Sequence, residues 1–281
     1  MIVANNYYTV IRREDGFGAQ YQYYIWQILY TELNGGKFVM PKIEKVEHNY
    51  NNDPEFINKV RRFMNLENIY SGSETLIKRL PVYYLNTQCG YKFVEENIDK
   101  CLESQTLKKI KTLFWMNKKR INIYNKNEDS TNFYNIAVHI RRQNQHDNRD
   151  GDCISIPISY YKDCIYEACE KYLFSFGLSK KKPIRIYIYS QGDEEEFNEL
   201  KEIEYGEVIL KINNDMFESF IGMVGADVLI LSASSYSYIA AFLSDGDIYY
   251  YPFWHNPSKK WNIKNNMKYI DLPGYTNWIK N

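Results

Sequence analysis

The fold class follows from the stretch NIAVHIRRQNQHDNRDGD, residues 135–152. It opens on a short apolar run, which is typical of a strand that is covered on both faces. The run continues without a break into His139, Arg141 and Arg142, and then into an almost wholly polar loop. A parallel strand of an open α/β sheet directs such groups into the crevice at its carboxyl edge. Two guanidiniums and an imidazole there indicate a phosphate or pyrophosphate site, although an arginine that solvates a strand end gives the same pattern.

Strands and helices alternate regularly after this stretch. Such alternation implies a parallel sheet with helices on both faces, so residues 133–255 are predicted to form a Rossmann-like domain. The strands are predicted at Ile184–Ser190, Glu207–Ile212, Asp227–Leu231 and Asp247–Tyr251, because β-branched and aromatic residues dominate these runs.

The N-terminal part of the chain is predicted to begin as strand, glycine-containing turn, helix and strand. The two strands are Tyr7–Arg12 and Lys37–Met40, and Gly35-Gly36 end the helix between them. Gly16 and Gly18 precede that helix, where glycine lets backbone N–H groups approach an anion. The dinucleotide-binding fingerprint needs a third glycine at position 21, where this chain has Tyr21. The two glycines are therefore explained equally well by a strand-to-helix turn that needs them only for steric reasons.

A polar connection, INIYNKNEDSTN at residues 121–132, separates the two patterned regions. Composition therefore predicts two domains, residues 1–125 and residues 126–281.

Composition excludes several classes of protein. Lys+Arg and Asp+Glu are 35 each, and this balance argues against a nucleic-acid binder. The N-terminus is too polar for a signal peptide, and no apolar run approaches the roughly 18 residues that span a bilayer, so a soluble, cytoplasmic protein is expected. The five scattered cysteines are expected to be free, buried thiols. The 27 tyrosines fit either a core with hydrated hydroxyls or stacking platforms for a sugar or base.

A second anion site is predicted where the strand Asp227–Leu231 meets the next helix. Ser232, Ser234, Ser235 and Ser237 stand at this turn. Hydroxyls and unpaired N–H groups at a helix N-terminus bind anions, although serine is also an ordinary helix cap.

Four stretches of the chain resemble motifs of the fucosyltransferase superfamily, which includes the α-1,2-, α-1,6- and protein O-fucosyltransferases. Residues 138–142, VHIRR, resemble its His-x-Arg-Arg motif. Residues 156–165, IPISYYKDCI, resemble the helix that follows this motif in the α-1,2 branch, and residues 217–243 resemble the serine-rich third motif. Residues 15–20, DGFGAQ, are similar to the opening Gly-x-Gly turn. In its arrangement the chain is also similar to small glycosyltransferases of large algal DNA viruses.

The resemblance implies a GT-B fold, in which two Rossmann-like domains face each other across a cleft. Residues 1–125 would then form the acceptor side, and residues 126–281 would hold the sugar nucleotide. The C-terminal tail is expected to pack back on the N-terminal domain.

The resemblance also implies individual roles. Arg141 would hold the β-phosphate, His139 would lie against the nucleotide, and Asp215 or Asp227 would face the base. Ser234 and Ser235 would bind phosphate at the helix N-terminus. The whole predicted nucleotide-sugar site comprises Gly16, Phe17, Gly18, His139, Arg141, Arg142, Asp215, Asp227, Ser232, Ser234, Ser235, Tyr236 and Ser237.

The expected reaction transfers a sugar from a nucleoside-diphosphate sugar to a glycan hydroxyl, with inversion and without a metal cofactor. Arg141 would stabilise the charge on the leaving diphosphate. Asp15, His48, Asp147 and Asp150 are all candidates for the general base, and the sequence does not rank them. The runs Asp-Gly-Asp at 150–152 and 245–247 are predicted to be turns rather than metal sites.

A donor like GDP-fucose is predicted. The sequence departs from the family pattern at one place. Many relatives carry an acidic residue two places after the double arginine, where this chain has Gln143-Asn144. Another donor such as UDP-xylose therefore stays open. A non-catalytic module that binds a sugar nucleotide or a glycan is the rival from another class, whereas the lack of a P-loop sequence argues against a kinase.

Overall fold

The computed structural model describes residues 2–49, 51–69, 81–116, 118, 132–142, 156–175 and 181–264. Contacts divide the chain into two compact units, Met1–Ile121 and Asn122–Asn281. The predicted boundary at residue 125 falls outside the described residues, and so does the C-terminal tail from residue 265. The predicted packing of that tail therefore stays a prediction.

Unit 1 contains a three-stranded parallel sheet in the order β2-β1-β3, with strands β1 (Tyr7–Thr9), β2 (Lys37–Phe38) and β3 (Val82–Tyr84). Its helices are α1 (Phe17–Leu33), α2 (Phe56–Met64), α3 (Thr87–Glu96), α4 (Ile98–Glu103) and α5 (Gln105–Met116), with a 3₁₀ helix at Leu66–Ile69. The predicted opening of strand, turn, helix and strand is confirmed. Both strands are shorter than predicted.

The centre of unit 1 is helix α1, which is buried on nearly all sides. A helix that is covered all round must satisfy its polar groups internally. Tyr21 and Tyr23 do so through their hydroxyls, which donate to the carbonyls of Met64 at 3.2 Å and Ile11 at 3.1 Å. These tyrosines are therefore core residues with a bonded hydroxyl.

Unit 2 contains a six-stranded sheet in which every neighbouring pair is parallel, in the order β6-β5-β4-β7-β8-β9. Its strands are β4 (Tyr134–His139), β5 (Ile184–Ser190), β6 (Glu207–Ile212), β7 (Val228–Ile230), β8 (Asp247–Tyr250) and β9 (Asn262–Ile263). The helices are α6 (Ile158–Ser175), α7 (Asn198–Lys201), α8 (Met216–Gly225) and α9 (Ser235–Leu243), with a 3₁₀ helix at Glu194–Phe197. The expected α/β fold with parallel sheets is thus confirmed. Sequence reasoning missed β9, because two residues show no periodicity.

The strand order of unit 2 contains a topological switch point. From β4 the chain moves outward to β5 and β6, and then returns to β7 on the other side of β4. Open α/β sheets bind ligands outside the carboxyl ends of the strands that flank such a point. In this chain those ends are His139 of β4 and Ile230 of β7.

The described cysteines are free, and Cys101, Cys164 and Cys169 are buried as predicted. Burial raises the pKa of these three thiols to about 12, so they stay protonated and unreactive. Cys89 is half-buried, and Cys153 lies outside the described residues.

None of the described helices combines the length and the apolar character that crossing a membrane would demand.

Candidate functional site

His139 ends strand β4 as a buried imidazole with 8% of its surface exposed. Its Nδ1 atom is buried and has no hydrogen-bond partner among the described residues. The ring lies edge-on to Tyr236, with 5.4 Å between centroids. Burial, together with the positive charge of Arg141, lowers the pKa of His139 to about 3, so the imidazole is neutral at pH 7. A buried polar atom without a partner is costly, which points to an external ligand at this position.

The chain that follows His139 is held on both sides by its neighbouring strands. The carbonyl of Ile140 accepts a hydrogen bond from the Ser190 hydroxyl at 2.7 Å. On the other side, the backbone N–H of Arg141 donates to the Ser232 hydroxyl oxygen at 3.0 Å. The hydroxyls of Ser232 and Tyr161 lie 2.9 Å apart. These bonds fix where the backbone of Arg141 leaves the sheet.

The serine-rich turn after β7 forms the N-terminus of helix α9. Ser234 is the N-cap, and its hydroxyl accepts from the N–H of Tyr236 at 3.3 Å. Ser234, Ser235 and Tyr236 are half-buried, whereas Ser232 and Ser237 are almost completely buried. The Ser237 hydroxyl donates to the Ser232 carbonyl at 3.3 Å. Ser232 and Ser237 therefore form hydrogen bonds within the protein, whereas the sequence predicted that they contact the ligand. The accessible groups of this turn are those of residues 234–236.

Asp215 lies at the same edge of the sheet. It is exposed and caps helix α8, where its Oδ1 accepts from the N–H groups of Phe217 at 2.9 Å and Glu218 at 3.0 Å. The Tyr236 hydroxyl donates to the carbonyl of Met216, which joins the start of α8 to the start of α9. The structure thus brings Asp215, Tyr236 and His139 to one region.

Asp227 lies at the opposite edge, and its predicted role at the base is corrected. Its Oδ2 accepts from the backbone N–H of Asn135 at 2.8 Å, at the beginning of β4. The physical reason is strand direction, because Asp227 precedes β7 whereas the switch-point site lies beyond the strand's end. Asp247 also begins its strand at this edge, and a Cβ at Gly246 would lie 2.5 Å from the carbonyl oxygen of Ala226. The sequence Asp245-Gly246-Asp247 is therefore a tight connection away from the site.

Arg142 faces an acidic partner. Its Nε lies 3.1 Å from Oε2 of Glu196, and its guanidinium lies over the Phe197 ring at 5.3 Å from the centroid. Arg142 thus helps to attach the loop after β4 to the 3₁₀ helix after β5.

The candidate residues of unit 1 divide into two groups. Phe17 and Gly18 are buried in the first turn of α1, where the Phe17 ring packs 5.6 Å from those of Tyr21 and Phe63. This packing makes Phe17 a core residue rather than the predicted ligand contact. Asp15, Gly16 and His48 are brought together at the start of α1, although Gly16 and His48 are 32 positions apart in the sequence. Asp147 and Asp150 lie outside the described residues.

Sequence reasoning missed the residues that support this site, namely Tyr161, Ser190, Glu196 and Gly222. Gly222 shows why: a Cβ there would lie 2.0 Å from the hydroxyl oxygen of Tyr189, so only glycine lets α8 pack on β5. No local pattern marks such a contact, since it joins residues 33 positions apart.

Replacing Ser232 with alanine is expected to lower the free energy of unfolding by about 1–3 kcal/mol. The substitution removes the acceptor of the Arg141 N–H and the buried partner of the Tyr161 hydroxyl. Ser237→Ala is the matched control, because this equally buried serine makes only bonds of 3.3–3.4 Å. Urea denaturation of both variants measures the difference. Equal losses would contradict the central role of Ser232.

No group of three or more His, Cys, Asp or Glu side chains in the described part of the chain could hold a metal ion.

No family model matches the chain. No curated protein matches it in sequence. Solved structures similar to it include fucosyltransferase NodZ from Bradyrhizobium, with 12% identity and a TM-score of 0.40 over 89% of this chain and 96% of NodZ. Arabidopsis thaliana FUT1 in complex with GDP has 9% identity and a TM-score of 0.42 over 92% and 72%. The E. coli heptosyltransferase WaaC with ADP-2-deoxy-2-fluoro heptose has 13% identity and a TM-score of 0.38 over 92% of each chain. Likeness at this level does not transfer a function.

Proposed function

We propose that the chain is a glycosyltransferase that moves a sugar from a nucleoside-diphosphate sugar to a glycan hydroxyl. One observation carries the proposal: both loops that flank the switch point bear groups suited to a diphosphate. Arg141 follows β4, and the N-terminus of α9 follows β7. The bond from the Arg141 N–H to Ser232 joins the two loops.

Each group has a distinct chemical role in this proposal. The guanidinium of Arg141 stabilises the negative charge that develops on the leaving diphosphate. The N–H groups at the start of α9 and the dipole of that helix add to this stabilisation. His139 is neutral, so it suits a hydroxyl or amide group of the nucleotide rather than a phosphate.

The reaction is a single displacement. The acceptor oxygen forms a bond to the anomeric carbon while the bond from that carbon to the diphosphate breaks. The electron pair leaves with the diphosphate, and the hydroxyl proton passes to a general base. Attack opposite the leaving group inverts the anomeric centre. Fixed cations and N–H donors handle the charge, so the proposal needs no metal.

GDP-fucose is the favoured donor. Asp215 presents a carboxylate at the edge of the site, with one oxygen used in the helix cap. The exocyclic amino group of guanine can donate a hydrogen bond to a carboxylate, and uracil lacks this group. Gln143-Asn144, which departs from the family pattern, keeps UDP-xylose as the alternative donor.

A thermal-shift panel tests the proposal most directly, with GDP, GDP-fucose, UDP and UDP-xylose as ligands. A ligand that binds only the native state at 100 times its Kd raises stability by about 2.7 kcal/mol. We expect the guanosine compounds to give the larger shifts. Stabilisation by none of the four would contradict the proposal.

Catalysis is then tested by incubating the stabilising sugar nucleotide with a set of glycan acceptors. Release of the nucleoside diphosphate together with a glycosylated product supports the transferase. Binding without any release would identify the chain as a non-catalytic binding module.

A further inference from the structure

An exposed tryptophan lies at the carboxyl edge of the unit 2 sheet. Strand β8 runs parallel to β7, so the residues that follow β8 lie at the same edge as the serine-rich turn. They include Trp254, which is 41% exposed. Phe174 and Tyr205 are also exposed, but Phe174 is near the end of helix α6 and Tyr205 precedes β6. Both therefore lie toward the opposite edge, where parallel strands begin.

The loop that carries Trp254, residues 251–256, is fixed by hydrogen bonds to its backbone. The Tyr250 hydroxyl donates to the carbonyl of His255 and accepts from the N–H of Phe253 at 3.2 Å. The side chains of Phe253 and His255 are buried, whereas Trp254 between them is exposed. A ring on a loop that is already fixed loses little conformational freedom when a ligand stacks on it.

This loop packs against the first turn of helix α9. The ring of Tyr238, the fourth residue of the helix, stacks on the ring of His255 with 4.7 Å between centroids. Its hydroxyl donates to the Asn256 carbonyl at 2.6 Å. In the same helical turn, the Tyr236 ring lies 5.4 Å from the ring of His139. One turn of α9 therefore contacts both the loop after β8 and the end of β4.

The functional groups of unit 2 follow a definite order along this edge. Asp215 follows β6, and Trp254 follows β8 on the other side of β4 and β7. Arg141 and the N-terminus of α9 lie between them. Neighbouring strands are about 4.8 Å apart, so the end of β8 is within reach of a ligand bound at the end of β7. A ligand with its base against Asp215 and its diphosphate at the centre would extend its sugar toward β8.

We propose that the indole of Trp254 stacks on the apolar face of the donor's sugar and thereby helps to select that sugar. This inference rests on the proposed function. The C–H groups on one face of a pyranose form an apolar surface that matches the flat face of an aromatic ring. A 6-deoxy sugar such as fucose carries a methyl group in addition, so its contact with the indole removes more apolar area from water.

The first test measures the Kd of GDP and of GDP-fucose by calorimetry for the wild type and Trp254→Ala. We expect the Kd of GDP-fucose to rise about 10-fold, as for the loss of one aromatic contact, and that of GDP to change by less than about 2-fold. Trp254→Phe keeps an aromatic ring and should retain most of the affinity. UDP and UDP-xylose replace the guanosine compounds if they are the ligands that stabilise the wild type.

Phe174→Ala is the matched control, because it also removes an exposed aromatic ring from unit 2. Phe174 lies two positions after Tyr172, whose ring stacks on Tyr134 at the start of β4, 3.8 Å between centroids. It therefore lies away from the carboxyl edge, and neither Kd should change in this variant.

Two results would overturn the assignment of Trp254. One is an unchanged Kd of GDP-fucose in a folded Trp254→Ala protein. The other is an equal rise in both constants, because the ring would then contact the base or the phosphates rather than the sugar. A wild-type chain that binds no sugar nucleotide is a different outcome, since it would contradict the proposed function itself.

Tryptophan fluorescence tests the same contact without relying on a loss of affinity. Stacking on a sugar changes the surroundings of the indole, so GDP-fucose should change the emission of the wild type more than GDP does. The difference between the two ligands should disappear in Trp254→Phe. Equal responses to both ligands in the wild type, or an undiminished difference in Trp254→Phe, would overturn the proposal.

Discussion

Replacing Arg141 with alanine is expected to reduce sugar transfer about 100- to 1000-fold, as is typical when one donor to a developing oxyanion is removed. The backbone on either side of this residue is held in place, because the Ile140 carbonyl accepts from Ser190 and the Arg141 N–H donates to Ser232. Arg141→Lys should recover only part of the rate, since lysine keeps the charge but loses the planar pair of donors. Steady-state kinetics with the donor that gives the largest thermal shift measures both variants.

Arg142→Ala is the matched control for this prediction. The two arginines are adjacent, but the Arg142 guanidinium is paired with Glu196 and lies over Phe197. We therefore expect a much smaller loss of transfer in Arg142→Ala. The role assigned to Arg141 would be wrong if Arg141→Ala folds normally and retains near wild-type transfer, or if the two variants lose the same activity.

The stability of the protein is expected to fall with acidification because of His139. The pKa of this imidazole is about 3 in the folded chain and about 6.5 when unfolded. Between these values the unfolded chain binds one more proton than the folded chain, so the free energy of unfolding rises with pH by about 1.4 kcal/mol per unit. This contribution is complete above pH 6.5. It should diminish by roughly 2 kcal/mol between pH 6.5 and pH 5.

His139→Gln isolates this contribution, because glutamine does not titrate. Urea denaturation at pH 7, 6 and 5 should show a shallower decline of stability in the variant than in the wild type, although carboxylates titrate in both. Parallel declines would show that His139 does not remain neutral in the folded chain. At saturating GDP, the wild type should still lose stability more steeply with acidification than the variant does, if the nucleotide is a hydrogen-bonding partner of the neutral imidazole.

Local sequence determined most strands of unit 2 and the position of His139 and Arg141. Ile184–Ser190 and Glu207–Ile212 have the predicted bounds, because runs of β-branched and aromatic residues favour extended backbone wherever they are covered. His139 and Arg141 were placed correctly at a strand end, since a run that changes from apolar to polar marks where a buried strand leaves the sheet.

Only the tertiary structure decided which side chains face inward and which partners they meet. Ser232 and Ser237 are turned into the protein while Ser234 and Ser235 stay accessible, although all four stand in one serine-rich turn. The contact of Gly16 with His48 depends on how two loops pack and leaves no local pattern. Local sequence specifies backbone preference through short-range sterics, whereas contacts between distant residues arise only when the sheet aligns the loops that carry them.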